Sequence, residues 1–189
     1  MGKVVVTEFI SLDGVIEDPG GAEGFEHGGW TFEFDRGEDG ERFKLDELMS
    51  SDAQLLGRVT YEGFAKAWPT IEGTGEFGEK MNGMPKFVVS KTLTAADWNN
   101  STILSGDLVE DVGKLKHQFG GDILVAGSAQ LVQGLLERDL VDELRLMVFP
   151  VVLGTGKRLF GETSDKKRLQ LVDSKTVGDG VAILKYRRS

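Results

Sequence analysis

The sequence has no cysteine and only two histidines, His27 and His117. Without cysteine there is no disulfide, no thiol nucleophile and no thiolate metal site. The histidines lack metal-ligand spacing, and no G-x-S-x-G stretch is present, so a Ser-His-Asp hydrolase is not expected. Basic residues are outnumbered: 22 Lys and Arg against 31 Asp and Glu leave a formal net charge of -9. A surface of that sign does not attract nucleic acid or anionic membranes non-specifically, although it leaves room for a small basic pocket. No apolar run approaches the ~20 residues of a membrane span. The N-terminus, MGKVVVTEFISLDG, carries one lysine and then a strand-like run containing Glu8. It lacks signal-peptide character, so a cytoplasmic location is expected.

What remains is an ordinary globular composition, with 40% hydrophobic and 28% charged residues. A length of 189 residues predicts one domain, residues 1–189, with a core large enough to stand alone. KVVVTEFI, from Lys3, is β-branched and predicts a strand. SLDGVIEDPGGAEGFEHGGW follows as a long loop, and loops of that length are usually functional or disordered. GERFKLDELMSS has near-helical apolar spacing. DAQLLG predicts a short buried strand, VTYEGFAKAW a helix ended by Pro69, KFVVSK and STILSG two further strands, and LVEDVGKLKHQF an amphipathic helix. DILVAG and SAQLVQGLLERDL give strand, tight turn and helix. VDELRLMVFPVVLG predicts a long strand with Pro150 near its end. The last segment predicts two strands around GDG, a hairpin signal. Strands alternating with helices imply an α/β fold: three layers, a mostly parallel sheet and an antiparallel C-terminal hairpin.

In such sheets ligands bind outside the carboxyl ends of the strands. Two strand-to-helix turns have suitable chemistry, Leu56-Gly57-Arg58-Val59-Thr60 and Ala126-Gly127-Ser128-Ala129. Each puts a glycine where backbone must come close, followed by a helix N-terminus with free N–H groups that favour an anion. Arg58 adds a charged fork, and Thr60 and Ser128 add hydroxyls. The plainer alternative is that Gly127 allows a turn, Ser128 caps a helix and Arg58 is a surface residue. Ser90-Lys91, leaving a third strand, offers a hydroxyl and an ammonium, or simply a turn. GTGKR, Gly154 to Arg158, is only half a P-loop: Val151 stands where the first glycine is needed and Arg158 where Ser or Thr is needed.

The ordered pieces LLGRVTYEGF, FVVSKTL and ILVAGSAQLVQGLLE resemble the dihydrofolate reductase superfamily. ISLDGVIE and VDELRLMVFPVVLGTGKRLF resemble its branch named for the reductase domain of the riboflavin-biosynthesis protein RibD. The resemblance runs from about Val4 to Tyr186. It implies an NADPH-dependent reductase. Gly57, Arg58 and Thr60 would contact cofactor phosphates, Ser90 and Lys91 the adenosine 2′-phosphate, and Ala126, Gly127, Ser128 and Ala129 the pyrophosphate. Lys91 stands in place of the family's arginine, and Ala126 in place of the first glycine of a Gly-Gly pair. Asp13, in Ser11-x-Asp13-Gly14, would face the pocket mouth beside the nicotinamide as the catalytic carboxylate, or serve as a turn residue. Trp30, Pro150 and Gly154 would line the substrate pocket, with Trp30 alternatively a lid or dimer contact. Asp35, Asp39 and Asp46 are candidates for a pterin-binding carboxylate.

The implied substrate is a small heterocycle, most like the phosphoribosylamino-uracil of riboflavin biosynthesis, or else a pterin as in a dihydrofolate reductase. A non-catalytic nucleotide-binding protein is the alternative from another class. The zinc-deaminase signature needs cysteines, so the chain is not the bifunctional enzyme. No metal is expected. The apolar run LRLMVFPVVL, Leu144 to Leu153, read as an exposed strand, and the resemblance together predict a homodimer; the alternative is that this strand is simply central and buried.

Overall fold

The computed structural model describes all residues, Met1–Ser189. Its centre is β1 (Lys3–Ser11), whose β-branched run is buried on both faces. That burial is what a strand inside a two-sided parallel sheet requires. Seven more strands complete the sheet: β2 (Ser51–Gly57), β3 (Lys86–Val89), β4 (Ser101–Leu104), β5 (Asp122–Val125), β6 (Glu143–Phe149), β7 (Leu169–Val177) and β8 (Val181–Arg188). Their spatial order is β4-β3-β2-β5-β1-β6-β8-β7. From β4 to β6 every pairing is parallel, and β8 and β7 close the sheet as an antiparallel hairpin through Gly178-Asp179-Gly180.

Alternation in β1 separates the layers. Val4, Val6 and Ile10 point to one face, where they pack with α4 (Leu108–Gln118) and α5 (Ala129–Glu137). Val5 points to the other, beneath α1 (Gly37–Met49), α2 (Arg58–Ala67) and α3 (Gly75–Gly83). A third cluster, rich in aromatics, fills the end of that face over β6 and the hairpin: Trp30, Phe149, Met147, Val177, Val181 and Ile183. The helix α3 was not legible in GEFGEKMNG, where Phe77 and Met81 alone supply an apolar stripe.

One expectation changes. The apolar run Leu144 to Leu153 is not one long exposed strand. β6 ends at Phe149, just before Pro150, which has no N–H for a ladder. β6 lies inside the sheet between β1 and β8, so its apolar side chains are core rather than a surface awaiting a second chain. The edge strand β7 exposes Leu169, Leu171 and Val172, and in the segment after β6 Val152 is exposed.

Lys86 opens β3 with 0% exposure. Its Nζ donates to the carbonyls of Asn82, Met84 and Asn99 at 2.9, 2.8 and 2.9 Å and sits 4.2 Å from the centre of the Trp98 ring. Burial pulls its pKa down to about 8. The three carbonyls use the ammonium's full donor capacity, which is how a buried lysine is tolerated.

Candidate functional site

Because β1, β2, β3, β5 and β6 are mutually parallel, all their carboxyl ends reach one edge of the sheet. Sequence-distant candidates therefore assemble there in the order of the strands: Ser90-Lys91, Gly57-Arg58, Ala126-Gly127-Ser128, Asp13 and Pro150.

The two glycine turns touch. A Cβ on Gly57 would lie 2.4 Å from Ser128 Cβ, so only glycine fits. Gly127 has φ 74°, a left-handed conformation that favours glycine, and a Cβ there would meet Thr60 Oγ1 at 2.9 Å. The Thr60 hydroxyl accepts the Ser128 N–H at 3.1 Å and locks one turn to the other. The left-handed residues of this turn are Gly127 and Ser128, at φ 74° and 47°; Ala126, where the family has the first glycine of its pair, is not among them. Ser128 caps α5, its Oγ accepting from Leu131 N at 3.5 Å, and no side chain caps α2 at Gly57.

The charged candidates are exposed at this edge. Arg58 is exposed and pairs with Glu62 across one helical turn at 2.9 Å. Lys91 is exposed. Ser90 is buried, and its hydroxyl already accepts from Thr92 N and Leu93 N at 3.2 and 2.9 Å, which makes it a turn-former first.

On the β1–β6 side, carboxylates strap loops together. Asp13 accepts from the Leu153 and Gly154 amides at 3.1 and 2.8 Å and from the Ser11 hydroxyl at 2.6 Å. The Ser11 hydroxyl, and after it the two amides, outweigh partial burial and hold its pKa down at about 2. A carboxylate so held gives up no proton at neutral pH, so its geometry suits positioning rather than acid catalysis. Arg158 Nε donates to the Asp13 carbonyl, and Val15 bridges to Arg158. Glu17 accepts from Lys157 N at 2.8 Å. Asp18 organises the glycine-rich loop from within, accepting from Glu23 N and Phe25 N through its side chain and from Gly21 N and Gly29 N through its carbonyl.

Trp30 is an anchor beneath this loop, not an exposed lid. It is 1% exposed, packs edge-on against Phe149 at 5.4 Å between ring centres, and donates Nε1 to the Glu17 carbonyl. Pro150 and Gly154 are exposed at the same edge of the sheet. None of the three aspartates considered for a pterin is a buried pocket group. Asp35 and Asp46 are exposed, and Asp39 is an exposed partner of Lys175. The buried carboxylate of α1 is Glu47, already engaged with Lys44 at 2.6 Å and the Thr7 hydroxyl at 2.8 Å.

Sequence reasoning missed Glu8. It lies in the carboxyl half of β1 and accepts the Gly127 N–H on Oε1 at 2.6 Å. Burial pushes its pKa up to about 8; the Gly127 amide and Lys44 pull against that, and Glu47 adds to it. The available signal was a lone carboxylate inside a β-branched strand, an expensive placement unless partnered or used.

Sheet order, the hairpin and the touching glycine turns together define a protein of the dihydrofolate reductase-like fold. The chain belongs to the RibD C-terminal domain family, whose model matches residues 2–183. It is 29% identical over 187 residues to the uncharacterised Bacillus subtilis protein YyaP, with 97% of this chain and 94% of that one aligned. A second uncharacterised B. subtilis protein, YwjB, is 29% identical over 96% of this chain and 95% of its own. Among solved structures, a candidate riboflavin biosynthesis protein of Shewanella sp. PV-4 superposes with a TM-score of 0.79 at 23% identity, covering 99% of both chains. A pyrimidine reductase-like protein of Corynebacterium diphtheriae gives 0.65 at 13% identity, covering 100% of this chain and 92% of its own.

Proposed function

We propose that this chain is an NADPH-dependent reductase that transfers hydride to a small heterocycle, with a pyrimidine of the riboflavin type ahead of a pterin. The observation that carries the reading is the contact between the Gly57–Thr60 and Gly127–Ser128 turns, with an uncapped helix start at α2 and the exposed cations Arg58 and Lys91 beside it. Backbone cleared of Cβ atoms, open helix N–H groups and exposed cations fit a dinucleotide's phosphates. The exposure of Asp35, Asp39 and Asp46, the aspartates considered for a pterin, favours the pyrimidine over the pterin.

Bound NADPH would supply the hydride, and the protein's own part is positioning. Gly57, Arg58, Thr60, Gly127, Ser128 and the flanking Ala126 and Ala129 hold phosphates. Lys91, on a turn built by Ser90, meets the 2′-phosphate. Asp13 fixes Leu153 and Gly154, and with them Pro150, at the substrate mouth, while Trp30 anchors the loop above it. The reading includes a homodimer, for which the apolar edge of β7 is the exposed surface. A monomer mass by light scattering at micromolar concentration would remove the dimer.

The test is titration with NADPH against an NADH control, followed by tryptophan fluorescence and calorimetry. We expect micromolar NADPH binding, weakened roughly tenfold or more in Arg58→Ala and in Lys91→Ala, as befits loss of a charge-assisted contact. Wild-type protein that binds neither nucleotide would overturn the reductase reading.

A further inference from the structure

The Gly127 amide is one of the donors that the nucleotide reading assigns to a phosphate, yet in this structure it points at a carboxyl of the protein itself. Glu8 is 8% exposed, and its Oε1 takes the Gly127 N–H at 2.6 Å. Oε2 meets no protein donor and keeps slight contact with solvent. A phosphate brought to the same turn would stand beside this group. If Glu8 were ionised, two anions would share one N–H in a poorly solvated place, which is strongly unfavourable. If Glu8 is neutral, Oε1 still accepts from Gly127 while the acid O–H is free to donate to a phosphate oxygen.

Resting on the nucleotide reading, we propose that Glu8 is a positioning residue of the phosphate site. It holds the Gly127 turn in shape, must be protonated when the phosphate binds, and takes up a proton on binding whenever it is ionised beforehand. The surroundings support a neutral acid. Leu146 is its register partner on β6, and the segment Ala129–Leu136 of α5 carries no ionisable side chain. Thr60 and the Glu62-paired Arg58 come from the neighbouring turn, on the far side of Gly127. Lys44 and Glu47 act from α1, and they pair with each other, so their effects on Glu8 oppose. Burial therefore dominates, and the carboxyl titrates near pH 8. Proton uptake is thus small at pH 7 and approaches one at about pH 9.

The experiment is NADPH calorimetry from about pH 7 to pH 9.5, above the ~6 at which a phosphate monoester takes its second ionisation, in pairs of buffers with different ionisation enthalpies. Wild-type protein is expected to lose affinity by about tenfold per pH unit above pH 8 and to absorb close to one proton. Glu8→Gln, which keeps a carbonyl for the Gly127 N–H, is expected to bind at pH 7 within a few-fold of wild type, with the slope and the proton uptake both gone. A wild-type profile that is flat above pH 8, or a Glu8→Gln profile as steep as wild type, overturns the role of Glu8 and leaves nucleotide binding standing. Absence of wild-type binding at pH 7 overturns the nucleotide reading itself, a separate and visible failure. If Glu8→Gln does not fold, wild-type proton uptake decides alone: none at pH 9 refutes the proposal.

Discussion

The two halves of the sheet's carboxyl edge are built on opposite plans. On the β2–β5 half, backbone meets backbone: Gly57 clears space for Ser128, Gly127 turns left-handed, and one threonine hydroxyl links the turns. On the β1–β6 half, side-chain carboxylates meet backbone amides far away in sequence, as with Asp13 and Gly154 or Glu17 and Lys157. Glu8 and Asp13, five positions apart at the end of one strand, mark the difference. Glu8 is desolvated toward the first half and holds its proton to about pH 8, while Asp13 is surrounded by donors in the second and releases it near pH 2. One half presents glycine-cleared backbone and exposed cations, as an anion requires. The other has used its charges on itself to hold loops in place.

If the second half is a rigid frame, removing its anchor has the largest effect. Trp30→Ala is expected to destabilise the protein by ~3–5 kcal/mol in urea unfolding, the range for a fully buried large aromatic. A cost under about 1 kcal/mol would show that Phe149 and the loop close up without it. The first half is broken by a single methyl group. Gly57→Ala is expected to push the two turns apart and to weaken NADPH binding by at least tenfold, while costing only about 1–3 kcal/mol of overpacking strain. Unchanged affinity would mean that contact between the turns is irrelevant to the ligand.

The contrast between Glu8 and Asp13 is also readable without ligand. Glu8 binds a proton in the folded protein that the unfolded chain has released, so it makes stability fall as pH rises from 4.5 to about 8. Asp13 has the reverse sign: its contribution is complete above pH 3.8 and is lost as pH falls toward about 2. Urea midpoints against pH for Glu8→Gln and Asp13→Asn check both, the first flattening the fall between pH 4.5 and about 8 and the second the loss below pH 3.8. The smallest effect is expected at Ser128. Its φ of 47° is strained for a residue with a Cβ, and glycine replaces a serine cap at a cost of only a few tenths of a kcal/mol. Ser128→Gly should therefore gain up to about 1 kcal/mol of stability in urea unfolding.

The same division explains what the sequence could and could not tell. The strands and most helices follow from local periodicity, and the glycine turns follow from local geometry, so Gly57 and Gly127 were legible as places where backbone comes close. Nothing local announces that the Glu8 carboxyl meets an amide 119 residues away, or that Asp13 meets amides 140 and 141 residues away. The apolar run after Leu144 was legible as a strand, but its neighbours were not. Whether such a run is core or surface depends on β8, which the chain supplies only at Val181.

Lys86 has a practical corollary. An amine enclosed by three carbonyls and a tryptophan face is out of reach of acylating reagents while α3, β3 and the segment before β4 stay packed. Every exposed lysine is modified at once; Lys86 reacts only when that corner opens. Mass spectrometry of a single tryptic site, followed over time, thus becomes a clock for the opening of one corner of the molecule, read without any introduced label.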